Sequence, residues 1–487
     1  MKKITALMIL FSLLLTSCGS ENPESADTTP DATTPEETTV QDGDGLPDVK
    51  FDGWELKILN YTEDSLTWCN TRIIVEEQTG DILDDAIYER NATLEERFNF
   101  RFAVDEDGQN EVAEKIKQNV LAGDNSYYIY AMGEGSSSGF IPYTLDWNNI
   151  PYLKLDEAWW NPAATSVYEI AGKQTALAGN MTLSAASRAV CTVFNKRIWD
   201  ELGDRSDLYE LVRSGKWTVD KFLSIAKSTN KDMNGNSEWD ADDIYGLMFG
   251  RGFKGYIASF LCGSGMNFTE KNENGENEFT LYKNERGLDL VTKLVDAWSI
   301  GNGYEYNKAD SLHNATPANF FENGHALFSQ RVPHDIYKLR AMEDDIGILP
   351  IPKYDEAQEN YCSAAWGGAV WTLSKTFDLA DAEKLGVILE AMSYYSYENI
   401  IPVYKEVALK TKTARDNESA DMLDIIFDTI YFDFGTNIMY DAIFVPTFLN
   451  DIFTSKSSTA IVSSMEKARE KITEYQTEIF TAAEEME

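Results

Sequence analysis

The apolar pattern between Trp54 and Met132 changes period repeatedly, and that alternation restricts the fold more than any other feature of the chain. "WELKILNY" (Trp54–Tyr61) alternates as a strand does, and "DDAIYERNATLEERFNFRF" then places Ile87, Ala92, Leu94 and Phe98 near helical spacing before a second strand-like end. "EVAEKIKQNVLAG" reads as an amphipathic helix with a glycine stop, and "YYIYAM" as a buried strand. A strand–helix–strand–helix–strand order predicts an α/β lobe with a largely parallel sheet.

The pattern continues downstream. "ALAGN" and "AVCTVFNKRIWDEL" predict a further strand and then a strand passing into a helix. "DIGILPIPKYDEAQENYCSAAWGGAVW" (Asp345–Trp371) reads as a strand ending in a proline-stiffened connection, because Pro350 and Pro352 forbid a helix and remove two ladder donors. A second strand or loop then carries Trp366 and Trp371 beside Gly367 and Gly368. The C-terminal third is mostly helical: Leu379–Tyr397, Glu418–Tyr431, and a last helix with Val462, Met465, Ala468, Ile472, Tyr475 and Ile479 on one face. No internal repeat is visible. About 440 residues from Phe51 onward are enough for two domains. The expectation is two α/β lobes with a helical C-terminal portion.

The N-terminus reads as an address. Lys2 and Lys3 precede an apolar run, Ile4–Leu15, that is short for a membrane span and has the form of a secretory signal. Leu15-Thr16-Ser17-Cys18 matches a lipobox, which predicts a signal peptide over 1–17 and lipidation at Cys18. Residues 19–48 carry nine acids and no base, with almost no apolar residue, so 18–48 is expected to be a lipidated cysteine and an acidic disordered linker. A coil of that length spans roughly 30 Å, enough to hold a globular body clear of a membrane.

Charge excludes several partners. The formal charge is −39 with 42 basic and 81 acidic residues, and it becomes −41 once Lys2 and Lys3 leave with the signal. Such a body repels nucleic acid and anionic lipid and suits a neutral or cationic ligand. Besides Cys18 there are four widely spaced cysteines, Cys69, Cys191, Cys262 and Cys362, without metal-ligand spacing. Their spacing leaves disulfides and buried free thiols both open.

Catalytic signatures are thin. The three histidines, His313, His325 and His334, form neither HExxH nor HxH. Gly135-Ser136-Ser137-Ser138-Gly139 satisfies G-x-S-x-G after a strand, but "FIPYTLDW" follows where a nucleophile elbow needs a helix; a flexible loop is expected instead. Nothing selects a catalytic carboxylate pair from so many acids. One stretch has metal-ligand spacing: Asp232, Asn234, Asn236, Glu238, Asp240 and Asp243 occupy positions 1, 3, 5, 7, 9 and 12 of a loop, as in an EF-hand. Position 6 is Ser237 rather than glycine, and position 12 is aspartate rather than glutamate. The reading divides between a structural calcium clip and a plain surface turn. No cofactor is required.

Several segments together carry a resemblance: the lipobox and acidic linker, "YLKLDEAWWNPAA", "AGKQTALAGN", "VFNKRIWDELG", "ELVRSGKWTVDKF", the Asn/Asp-rich turn before "IYGL", "FFENGHALF", "IGILPIPKYDEAQENY" and "LEAMSYYSYENIIPVYKEVALKTKTARDNESADMLDII". In order and spacing the chain resembles the extracellular solute-binding lipoproteins of bacterial ABC importers, of the maltodextrin-binding type. The resemblance implies a two-lobed periplasmic-binding-protein-like fold (type II), with lobe 1 formed by 49–176 and about 354–405 and lobe 2 by 177–353 and about 406–487. It implies a monomeric, non-enzymatic protein that captures a carbohydrate or other small solute, and hands it to ABC permease subunits. Its lipid anchor would hold it at the outer face of the cytoplasmic membrane. A surface polysaccharide hydrolase or adhesion lipoprotein is the alternative.

A sugar offers apolar C–H faces and a rim of hydroxyls, so its site combines aromatic platforms with polar groups. Trp366 and Trp371 are the leading platform candidates, with Trp68, Glu134, Trp159, Trp160 and His334 as further lining residues. His334 stands where relatives place a stacking aromatic, which implies a smaller or more polar ligand. For each ring, core packing is the competing role.

Overall fold

The computed structural model describes residues 44–65, 69–203, 206–237, 239, 242–247, 253–273, 275–297, 317–336, 339, 341–409, 417–439 and 461–486. The signal segment, Cys18, the linker through residue 43, Trp68, Glu238, Asp240 and His313 lie outside the described residues.

Two main sheets are built from β1 (Trp54–Tyr61), β2 (Phe100–Asp107), β3 (Ile129–Gly133), β4 (Thr144–Leu145), β5 (Cys191–Asn195), β6 (Tyr245–Leu247), β7 (Ala326–Arg331), β8 (Ile346–Pro350) and β9 (Ala369–Ser374). The first has the order β2-β1-β3-β9-β4: β1 pairs in parallel with β2 and β3, while β9 runs antiparallel to β3 and β4. The predicted parallel unit is therefore present, extended by two antiparallel strands. The second sheet has the order β8-β5-β7-β6, with β5 antiparallel to both neighbours and β6 parallel to β7. β8 is an edge strand and Pro350 is its last residue, so the lost ladder donors cost little there. The sequence "ALAGN" forms no strand of its own; Leu177 makes an isolated bridge to Trp371.

Local signals explain the crossovers. Helix α1 (Ile82–Phe98) is capped by Asp81, whose carboxylate accepts from the Leu83 and Asp84 N–H groups, and it ends at Asn99 in the left-handed region. Helix α2 (Gln109–Ala122) stops at Gly123, φ 68°, as its sequence predicts. The buried face of α1 departs from the apolar pattern. Ala92 is exposed, and Arg90 and Asn91 turn inward beside Ile87, Leu94 and Phe98. Arg90 donates to Met181 O, Ile73 O and the Ser396 hydroxyl, so its buried guanidinium ties three distant segments to the helix.

The second sheet packs one face on Trp217 and Phe222, which meet Phe328 of β7, with Phe260 against Phe222. Its other face meets Phe320, Ile336 and Ile426. The chain passes from the first sheet to the second through residues 184–190 and returns through 363–368. These two segments touch: Ala189 bridges Ala365, and the Val190 N–H donates to Ala364 O at 2.7 Å. A third segment joins them where Ser363–Ala364 pairs in parallel with Ile430–Tyr431.

The C-terminal helix Ile461–Glu484 buries Met465, Ala468, Ile472 and Ile479 as its spacing predicts, whereas Val462 is exposed and Ile461 takes the inner position. It lies against segments far apart in the chain. Tyr475 shares a hydrogen bond with Ser138 at 2.8 Å, and Gln476 donates to Asn277 O at 2.5 Å. Cys69, Cys191, Cys262 and Cys362 are free thiols, the first three buried. Among the described residues no helix is long and apolar enough to cross a membrane.

Candidate functional site

The parallel strands β1 and β3 end side by side, where the Tyr61 hydroxyl accepts from the Gly133 N–H at 2.8 Å. In parallel sheets this carboxyl edge is where ligands collect. Just beyond it lies the short helical turn Ser184–Ser187, at the start of the crossing into the second sheet. Ser184 Oγ accepts from the Ala369 N–H and lies 3.3 Å from Cys69 Sγ, and Ser187 Oγ accepts from the Asn70 N–H. The turn Pro333–Ile336, which follows β7 and carries the half-buried His334, packs against Ser184–Ser187.

Arg188 closes this cluster. Its Nε donates to Trp366 O at 2.9 Å, and its guanidinium sits 5.5 Å from the centre of the Trp366 ring. The half-buried indole donates from Nε1 toward Ser259 Oγ at 3.4 Å. The two glycines after Trp366 permit this crowding. Gly367 is left-handed at φ 74°, and a Cβ on Gly368 would lie 2.3 Å from Ser184 Oγ and 2.8 Å from Glu134 Oε1. A flat ring backed by a cation, hydroxyl groups and a carboxyl is thereby gathered where three chain segments join the sheets.

Glu134 is 2% exposed and accepts from the Asn437 amide at 2.9 Å. Burial pushes its carboxyl up to about 7, against the opposing pull of the Gly368 N–H, Arg188 and Asn437. In this arrangement it serves the protein's own connections, where the sequence suggested a ligand contact.

Of three other predicted rings, two are core residues and the third packs on the core's edge. Trp371 is 1% exposed, stands opposite Ala131 in the β9–β3 ladder, and its carbonyl accepts from Trp147 Nε1 and the Leu177 N–H. Trp160 is wholly buried and Trp159 half-buried; both indoles donate to Glu390, at 2.6 Å and 3.0 Å, inside the first-sheet half. A buried carboxylate that needed donors explains this tryptophan pair. The Gly-Ser stretch is also ordered differently than expected: Glu134–Tyr143 is a tight helix in which Ser137 and Ser138 are buried, the first bonded to Glu134 O.

The Asn/Asp turn is closed by its own side chains. Asp232 accepts from the Gly235 and Ser237 N–H groups, Asn234 from Asn236, and the buried Asp243 from Met233. Ser237 adopts φ 63° at loop position six, the conformation for which glycine is preferred there.

Arg188, Ser184, Ser259 and Asn437 complete the cluster and were not foreseen. The one signal for Arg188 was a lone base directly before the apolar run of β5.

No family model matches the chain, and no curated protein matches it. Solved structures do. A sugar transporter from Rhizobium etli in an open conformation is 13% identical, with 89% of this chain and 100% of that chain covered at a TM-score of 0.57. An extracellular solute-binding protein from Staphylococcus aureus in complex with maltose is 14% identical, with 88% and 99% covered at 0.57. A cyclic alpha-maltosyl-1,6-maltose binding protein from Arthrobacter globiformis is 12% identical, with 88% and 99% covered at 0.54. The chain has the two-lobed periplasmic-binding-protein-like fold.

Trp366 and Trp371 differ in a way that substitution reads directly. Trp371→Ala should cost about 3–5 kcal/mol of stability, because it empties a packed core site. Trp366→Ala should cost much less. Urea unfolding of both variants checks the ordering, and equal losses would place Trp366 in the core as well.

Proposed function

We propose that this protein is an extracytoplasmic solute-binding protein that captures a carbohydrate, an oligosaccharide in the first instance, between its two lobes and delivers it to an ABC permease. The observation that carries the reading is Trp366. It is a half-buried indole, backed by Arg188, at the junction of the segments that connect the two sheets. An aromatic face with adjacent polar side chains is the chemistry a sugar needs. The fold supports the reading, since neighbours of the same architecture are described as binding maltose and a cyclic maltosyl saccharide. His334, carried on the turn beside Ser184–Ser187, is proposed as a second, polar contact. Lobe 1 is proposed to comprise 49–176 with about 354–405, and lobe 2 the remainder after 176.

Closure follows from differential affinity: a ligand touched by both lobes stabilises the closed state by as much as it binds that state better. No step here breaks a bond in the ligand. Thermal shift against maltose, maltotetraose, glucose, a tripeptide and an amino acid tests the class, since a ligand specific to the folded state raises the melting temperature by mass action. A shift with a saccharide, weakened in Trp366→Ala by on the order of 1–3 kcal/mol of binding, is the expected result. A shift with peptide alone would overturn the carbohydrate reading, and turnover of the saccharide would favour a hydrolase.

Anchoring through lipidated Cys18 is part of the proposal, with the protein acting as a monomer beside its permease. Cys18→Ser should move the protein from the membrane to the soluble fraction without altering its melting temperature. Retention on the membrane would overturn the anchor.

A structural calcium ion in the 232–243 turn is a separate proposal, supported by the oxygen spacing and by the left-handed Ser237 at position six. Asp232, Asn234, Asn236 and Asp243 are hard oxygen donors that suit this cation, joined by Glu238 and Asp240. Excess chelator should lower the melting temperature and leave ligand affinity unchanged. An unchanged melting curve would favour the plain turn.

A further inference from the structure

Residues 184–190, 363–368 and 430–437 join the two sheets, and one side chain from outside them bonds to the second and third and faces the Arg188 charge of the first. Glu134, at the end of β3, donates its own N–H to Gly368 O at 3.0 Å. Its Oε2 accepts from Asn437 Nδ2, and the same amide donates to Ala365 O at 3.0 Å. Asn437 Oδ1 accepts in turn from the Asp433 N–H and the Thr436 hydroxyl, both at 3.1 Å. The Gly367 and Gly368 N–H groups also bond to the carboxyl, and Arg188 supplies the facing positive charge.

We propose that Glu134 is the positioning residue of the interlobe hinge, its carboxyl tying the three connecting segments together so that loosening the hinge requires water to reach it. The tie needs only the fold, and its consequence for ligand capture rests on the function proposed above. Because the carboxyl is buried with no solvent of its own, any movement that separates Asn437 from the 365–368 strand leaves an unmet polar group until water enters.

The titratable groups facing Glu134 come from every side. Arg188 lies on the first crossing, Cys69 on the loop after β1, and Tyr168 beyond Asn437. The Tyr61 hydroxyl holds the preceding Gly133 N–H. Burial raises the Cys69 thiol and both phenols, so they stay neutral. Asp433 is the second buried acid; it accepts from the Thr436 and Phe268 N–H groups and is also pushed up to about 7 by burial.

The sign of the pH effect follows from linkage. Burial raises the Glu134 pKa in the locked form, whereas hydration in a loosened form returns it toward the ordinary carboxylate value. The locked form therefore binds the proton more tightly. Protonation favours locking, and ionisation as pH rises through about 7 favours loosening. Global stability moves the same way, falling from the unfolded-state pKa up through the folded one.

Hydrogen exchange on the full chain without ligand tests this, with protection factors corrected for intrinsic exchange in peptides covering 363–368 and 430–437. In the wild type, protection in both should fall together between about pH 5 and 7, by as much as about tenfold per pH unit, and level off above about pH 7. Glu134→Gln should flatten the response at 363–368 and leave at 430–437 only the share that Asp433 carries, while Asp433→Asn should keep the response at 363–368. Asn437→Ser, which removes the amide donor, should lower protection in both segments at every pH. Wild-type protection that is flat with pH, a pH response undiminished in Glu134→Gln, or unchanged protection in Asn437→Ser would each overturn the proposal. Such failure leaves saccharide binding untouched, since no ligand enters the experiment. Should Glu134→Gln not fold, the wild-type series and Asn437→Ser decide the matter.

Discussion

Backbone pairing between the segments that cross from one sheet to the other is the constraint on which the rest of this molecule depends. Ala189 against Ala365, and Ser363–Ala364 against Ile430–Tyr431, place three connections side by side. Residues of both sheets share one large apolar cluster, and the crossing segments touch between them. Main-chain hydrogen bonds suit this role because they fix position while leaving the flanking dihedrals free to turn.

Around that junction the side chains follow from a need for close backbone approach. Left-handed Gly367 and Gly368, which has no room for a Cβ, bring the returning strand against Arg188, Ser184 and Glu134. The price of packing so many polar groups together is that each must find a partner, and the cluster meets that condition with an amide, an arginine, hydroxyls and peptide N–H groups. Trp366 is held at the edge of this network through its carbonyl and indole nitrogen, with part of the ring packed against the apolar core. Trp371, five residues on, is held by a core. Two tryptophans in one short stretch thus divide between a junction and a sheet interior.

The legible part of the fold was the local part. The α1 cap at Asp81, the α2 stop at Gly123 and the strand character of β1, β3 and β8 follow from periodicity and turn chemistry acting over a few residues. Arg90 was not legible, because a charged residue turns inward only when carbonyls from distant segments converge on it. The same reason hid the tryptophan pair's attachment to Glu390 and the bond from Asn437 to Glu134, each spanning more than 200 positions.

The candidate site divides along the same line. Its aromatic and acidic components stood out by residue type, and Trp366, Glu134 and His334 are indeed gathered near Ser184–Arg188. Whether a ring faces a core or a junction is a property of register: an alternating strand sends neighbouring side chains to opposite faces, and only the partner strands decide what covers each face. Sequence alone determined the strand–helix alternation, the charge that excludes polyanions, and the residue types available for binding, because those are set by composition and short-range spacing. Tertiary structure alone decided that Glu134 serves the crossings, that Trp371 and Trp160 belong to the interior, and that Arg188 stands behind Trp366, because burial and pairing are created by contacts between segments far apart in the chain.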